Sequence, residues 1–149
     1  MKTYTQFTFQ VVFSSKYRRP FLHEGNEDAL FSYLGGILHR MDCHPFIQGG
    51  HVNHIHLIFE LSRQHAISKV VQEVKKGSNR FMKENWNRFP DFPGWQVGYG
   101  GFTYSKDARP NLINYVKNQH NHHRKITFLD EYIKLLEEHG IDYDPKYLL

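Results

Sequence analysis

The sequence predicts an α+β fold, an antiparallel sheet with helices on one face, followed by a helical C-terminal part. Three observations carry this. Apolar residues alternate with period two in several short segments. They recur at three and four residues in longer segments. The two kinds of segment follow the order strand, helix, strand, strand, helix, strand, helix, helix. With 149 residues, 40% of them hydrophobic and 15% aromatic, the chain reads as one domain, 1–149, with a packed core.

The first strand is expected from Thr3 to Phe13, where Tyr4, Phe7, Phe9, Val11 and Phe13 recur with near period two. The basic turn from Ser14 to Pro20 ends it. Leu30, Leu34, Ile37 and Leu38 form one face of a helix over Glu27 to Met41. Gly35-Gly36 is expected to interrupt that helix, since mid-helix glycine costs ~1 kcal/mol relative to alanine. His44 to Gly50 and Val52 to Leu61 read as a β-hairpin. Ile67 to Trp86 is helical, with Val70, Val71, Val74 and Phe81 on its apolar face.

A proline-rich loop, Phe89 to Gly94, precedes a glycine-interrupted strand from Gln96 to Tyr104. Ala108 to His123 is a further helix, with Pro110 tolerated in its first turn. A short helix, Leu129 to Glu138, ends at Gly140. The first six elements spell βαββαβ, the ferredoxin-like arrangement. That scaffold hosts many activities, so function has to come from particular residues.

Composition narrows the classes. No apolar run approaches the ~20 residues of a membrane span. The N-terminal segment MKTYTQFTFQVVF reads as a strand and lacks a small-residue cleavage site, so a cytoplasmic protein is expected. The single cysteine, Cys43, excludes an internal disulfide framework and a cysteine-based zinc cage. A formal charge of +4 leans toward polyanions. The less ordinary number is eleven histidines.

His54-Ile55-His56 lies in the second strand of the hairpin. Residues i and i+2 of a strand face the same way, roughly 6–7 Å apart at Cα, so both imidazoles can share a metal ion while Ile55, Leu57 and Phe59 face the core. Alone, such a pair is more often two histidines on a solvated strand face. In the helix after the last strand, Tyr115 and Gln119 are four apart and share a face. If that face meets the histidines, Gln119 offers an amide oxygen to the ion and Tyr115 brings its phenol to a phosphate held there. A free phenol, with a pKa of ~10, is a poor nucleophile at neutral pH. A divalent cation polarises the phosphate and stabilises the leaving oxygen.

These motifs together resemble the single-tyrosine HUH transposases of the IS-two-hundred/six-hundred-and-five type. The histidine–hydrophobic–histidine motif is His54-Ile55-His56. The helix signature is Tyr115-Val116-Lys117-Asn118-Gln119, followed by His122-His123. Trp95 to Phe102 resembles the strand before that helix, and the tail from Phe128 to Tyr147, with His139-Gly140-Ile141-Asp142-Tyr143-Asp144, resembles members with a C-terminal extension.

The resemblance implies metal-dependent cleavage and religation of single-stranded DNA through a covalent 5′-phosphotyrosine. Tyr115 is then the nucleophile, and His54, His56 and Gln119 hold Mg²⁺ or Mn²⁺. It further implies a homodimer that recognises hairpins near element ends, with Tyr115 able to complete the partner's site; a composite site of that kind would explain the glycines before the helix, Gly98, Gly100 and Gly101, as a pivot. Ligand chemistry alone would favour Zn²⁺ or Mn²⁺, because imidazole is softer than Mg²⁺ usually selects. His51, just before the motif, is an extra ligand or a turn residue, and the turn reading is preferred.

Phosphate contacts are expected from Lys16, Arg18 and Arg19 in the first turn, from Lys75, Lys76 and Arg80 on the second helix, and from Arg109 and Arg124 flanking the tyrosine helix. Tyr17, Tyr99 and Phe102 are candidates to stack unpaired bases. Two other readings stand beside this one. One is a domesticated relative that acts as a hairpin-specific endonuclease. The other is a non-catalytic single-strand-binding module, which predicts neither a tyrosine adduct nor metal dependence.

Overall fold

The computed structural model describes residues 2–148. The expected order is present: β1 (Thr8–Ser14), α1 (Glu27–Arg40), β2 (His44–His51), β3 (His54–Glu60), α2 (Ile67–Glu84) and β4 (Gly100–Tyr104). Three helices follow, α3 (Arg109–Lys117), α4 (Gln119–His122) and α5 (Phe128–Glu138). The strands form one antiparallel sheet in the order β2-β3-β1-β4, the ferredoxin-like topology.

The sheet sorts its side chains by parity. Val11 and Phe13 of β1 and Ile55, Leu57 and Phe59 of β3 pack with Leu30, Leu34 and Leu38 of α1 and Val70, Val74 and Met82 of α2. Val12 and Phe102 point the opposite way and meet Phe128, Leu135 and Leu136 of α5. The helices α1 and α2 therefore cover one face, and the C-terminal helices close over the other.

Several local expectations are corrected. The first ladder begins at Thr8, where Glu60 and Tyr104 become available as partners, and Tyr4 before it is exposed. Gly35-Gly36 does not break α1. A Cβ at Gly35 would lie 2.7 Å from Gln48 Oε1, so this glycine lets α1 lie close over β2. The last strand starts at Gly100 and not at Gln96. The carbonyls of Gln96 and Gly98 are taken up by Lys75 Nζ, at 2.8 and 2.5 Å, and so do not join a ladder. The helix expected from Ala108 to His123 is divided at Asn118 (φ −95°, ψ 16°), which separates Tyr115 on α3 from Gln119 on α4.

Candidate metal centre

The site starts on β3. His54 and His56 share the sheet face opposite Ile55 and Leu57, and both are fully buried. In the ladders His56 lies opposite Val12 and Gly49, and His54 opposite Ser14 and His51. Gly49 is what allows α3 to settle here: a Cβ on it would lie 2.5 Å from Val116 Cγ1. Behind α3 comes α4 with Gln119, followed by His123. Thr127 caps α5 by accepting from Asp130 N at 3.1 Å, which fixes the start of the helix that carries Glu131.

Outer hydrogen bonds orient each imidazole. His54 Nδ1 lies 3.0 Å from Asn53 Oδ1, whose amide nitrogen donates to Arg18 O. His56 Nδ1 lies 2.9 Å from Gln10 Oε1, with the Gln10 amide nitrogen turned to Tyr104 Oη. His123 Nδ1 lies 3.0 Å from Ile126 O. Each Nδ1 faces an acceptor, so with its proton held there each ring would turn an Nε2 lone pair inward, able to meet a metal.

The three Nε2 atoms meet further oxygens. Gln119 donates its amide nitrogen to Glu131 Oε2 at 3.0 Å, which turns its Oε1 toward His54 Nε2 at 2.9 Å and His123 Nε2 at 3.0 Å. Glu131 Oε1 lies 3.0 Å from His56 Nε2, 3.2 Å from His123 Nε2 and 3.3 Å from His54 Nε2. The ligand atoms of His54, His123 and Glu131 all lie within 4.8 Å of one another, and His56 reaches the same carboxylate oxygen.

Imidazole nitrogens and oxygens that converge in a buried space suit a cation between them. A second proton on His54 is a poor substitute, since burial pushes its pKa down to about 4. Burial also opposes charge on Glu131, but without a metal the N–H bonds from His123, His54 and His56 outweigh it and hold the carboxyl well below its usual range. Three imidazoles, an amide oxygen and a carboxylate fit a divalent ion.

Tyr115 reaches this centre from α3 of the same chain. Its phenol donates to Glu131 Oε2 and lies 3.3 Å from His122 Nε2. Burial, together with the Glu131 charge, pushes the phenol well above its ordinary pKa. Beside it opens a cavity of about 300 Å³ lined in part by Gln10, Tyr104, Leu112, His122, Glu131 and Lys134.

The model of the family described as Transposase IS200 like matches residues 3–119, which span His54, His56, Tyr115 and Gln119. This chain belongs to that family. Among curated proteins, none matches the sequence. Two solved structures are similar to this IS200-like transposase. One is a candidate transposase from Deinococcus radiodurans R1, with a TM-score of 0.62 and 24% identity over 80% of this chain and 98% of that one. The other is a REP-associated tyrosine transposase solved with a REP hairpin, with a TM-score of 0.59 and 14% identity over 83% of this chain and 72% of that one. At these identities both speak to the fold.

The IS200-like match stops at Gln119, short of His123 and Glu131. Sequence reasoning assigned neither residue a role. Glu131 did leave a signal: it shares with Phe128 and Leu135 the buried face of α5, where a carboxylate needs partners.

The expected phosphate contacts divide by surroundings. Lys16, Lys75 and Lys76 line a groove of about 530 Å³ with Asn79 and Lys83, on the α2 side of the sheet. Arg19, Arg80 and Arg124 are exposed and Arg18 is half-buried. Lys75 is held by the carbonyls of Gln96 and Gly98. Arg109 is committed inside the protein, 2.9 Å from Glu60 Oε1 and 2.8 Å from Thr8 Oγ1. Tyr17 is exposed, whereas Phe102 is buried in the second core. No described helix is long and apolar enough to cross a membrane.

Proposed function

We propose that this IS200-like transposase cleaves and rejoins single-stranded DNA, with Tyr115 as the nucleophile. Buried acceptors converging within hydrogen-bond reach of the group that holds Tyr115 carry this reading. His54, His56, His123, Gln119 and Glu131 would hold Mg²⁺ or Mn²⁺. A bound ion supplies polarisation of the scissile phosphate and stabilisation of the leaving oxygen. Three imidazoles favour Mn²⁺ of the two, and the carboxylate brings the site within reach of Mg²⁺.

The chain's own residues supply the rest. Glu131 Oε2 accepts a hydrogen bond from the Tyr115 hydroxyl and orients it, and the phenol proton passes to water as its oxygen attacks phosphorus. The Tyr115 O–P bond forms, the P–O3′ bond breaks, and the leaving 3′-oxygen takes a proton from water. The resulting 5′-phosphotyrosine is the phosphodiester's equal in bond type. A 3′-OH can therefore attack it, restore the DNA bond and release Tyr115. Because the phenol bonds to Glu131 of its own chain, we assign Tyr115 to that chain's site, whether or not the protein pairs as a homodimer. Hairpin DNA is the proposed substrate, supported by the REP hairpin bound to the structurally similar tyrosine transposase. Lys16, Lys76, Arg19, Arg80 and Arg124 are the proposed phosphate contacts.

The test is incubation with a hairpin-bearing single-stranded oligonucleotide and Mn²⁺ or Mg²⁺, followed by denaturing electrophoresis. A protein–DNA adduct is expected, absent in Tyr115→Phe and with EDTA. An adduct that persists in Tyr115→Phe would overturn the nucleophile, and one that persists in EDTA would overturn the metal.

A further inference from the structure

Beyond the buried centre, a second group of histidines meets at its rim. His51 ends β2, and His120 follows Gln119 on α4. One residue along a helix is a rotation of about 100°, so His120 points away from the buried centre that Gln119 faces. Its Nδ1 lies 2.6 Å from His51 Nδ1. On its other side, His120 Nε2 lies 3.1 and 3.3 Å from the two carboxylate oxygens of Glu27, at the start of α1. The His51 ring is steadied by stacking on His123, with centroids 5.3 Å apart and planes at 8°.

The carboxylate decides the tautomer. Glu27 accepts from His120 Nε2–H, so His120 Nδ1 presents a lone pair. The facing His51 Nδ1 can present another, and a single proton shared between two nitrogens is then all that an ion has to displace. A carboxylate orienting a histidine whose other nitrogen is free for metal recurs in transition-metal sites.

We propose that His51 and His120 form a second cation site, selective for a borderline transition-metal ion such as Zn²⁺, with Glu27 as the residue that positions His120. Zn–N bonds of about 2.0–2.1 Å in tetrahedral geometry set ligand nitrogens about 3.3 Å apart. The rings must therefore part by less than about 1 Å, which side-chain torsions supply, since the His120 side chain is 49% exposed. Water, or a phosphate oxygen of bound DNA, fills the open positions. The ion ties α4, the element that carries Gln119, to β2 and, through Glu27, to α1.

The site does not depend on the transposase reading, and its test uses the metal alone. Zn²⁺ is titrated into the metal-free full chain by calorimetry, with thermal melts of each variant to establish folding. Wild type is expected to bind two equivalents and His51→Ala/His120→Ala one. Glu27→Gln should bind two, one of them weakened about 10- to 100-fold. Binding of a single equivalent by both wild type and the double variant would overturn the proposal. So would a double variant that binds as much Zn²⁺, as tightly, as wild type. Neither outcome bears on adduct formation with DNA, which is read separately in Mn²⁺.

Discussion

Glu131 Oε1 lies 3.0 Å from His56 Nε2, although 75 residues separate them in the chain. The contact joins a C-terminal helix to a central strand. It also gives a histidine pair the carboxylate that a hard or borderline divalent cation requires.

Glu131→Gln removes the charge and keeps the shape. Mn²⁺ affinity, read by calorimetry on the metal-free chain, is expected to fall by more than the ~10- to 100-fold typical of an outer-shell loss. Adduct formation should fall with it, and excess Mn²⁺ should restore it in part. Unchanged affinity would remove Glu131 from the ligand set.

Gln10 is not among the proposed ligands, yet it holds His56 Nδ1 at 2.9 Å. Gln10→Leu leaves that donor unpaired and frees the ring to turn. A loss of about 10- to 100-fold in Mn²⁺ affinity is expected, with the fold retained by circular dichroism. Asn53→Leu should act likewise on His54, which it holds at 3.0 Å.

Gly49→Ala places a methyl group against Val116 on α3. Overpacking of this kind costs about 1–3 kcal/mol, measured by urea unfolding. Because α3 carries Tyr115, adduct formation should fall further than stability alone explains. A variant as stable and as active as wild type would show that α3 shifts freely over β2.

Metal-free protein should lose stability on mild acidification. Burial lowers the His54 pKa from 6.5 to about 4. Between those values the unfolded chain binds a proton that the folded one does not, so stability rises with pH across the window. His54 contributes in full above pH 6.5, and about 3 kcal/mol is lost as pH falls to 4. Urea unfolding at pH 7 and pH 5 measures this. Equal stability at the two values would mean that His54 is open to water in solution.

The sequence by itself determined which residues share a side. Strand parity put His54 and His56 on one face and Ile55 and Leu57 on the other. Helical spacing linked Tyr115 with Gln119, and the motifs around them led to the family that the match over residues 3–119 shows. These are consequences of local covalent geometry, legible wherever a period is unbroken. Tertiary structure alone decided that the histidine face is buried, that the tyrosine helix divides at Asn118, and that His123 and Glu131 join the centre. It also decided that His51, read as a turn residue, meets His120 across the rim. No period records how α5 folds back over the sheet, because its direction is set by the cap at Thr127 and by Phe128, Leu135 and Leu136 finding Val12 and Phe102. A carboxylate on that helix becomes part of the site only once the apolar residues beside it have chosen the surface on which to pack.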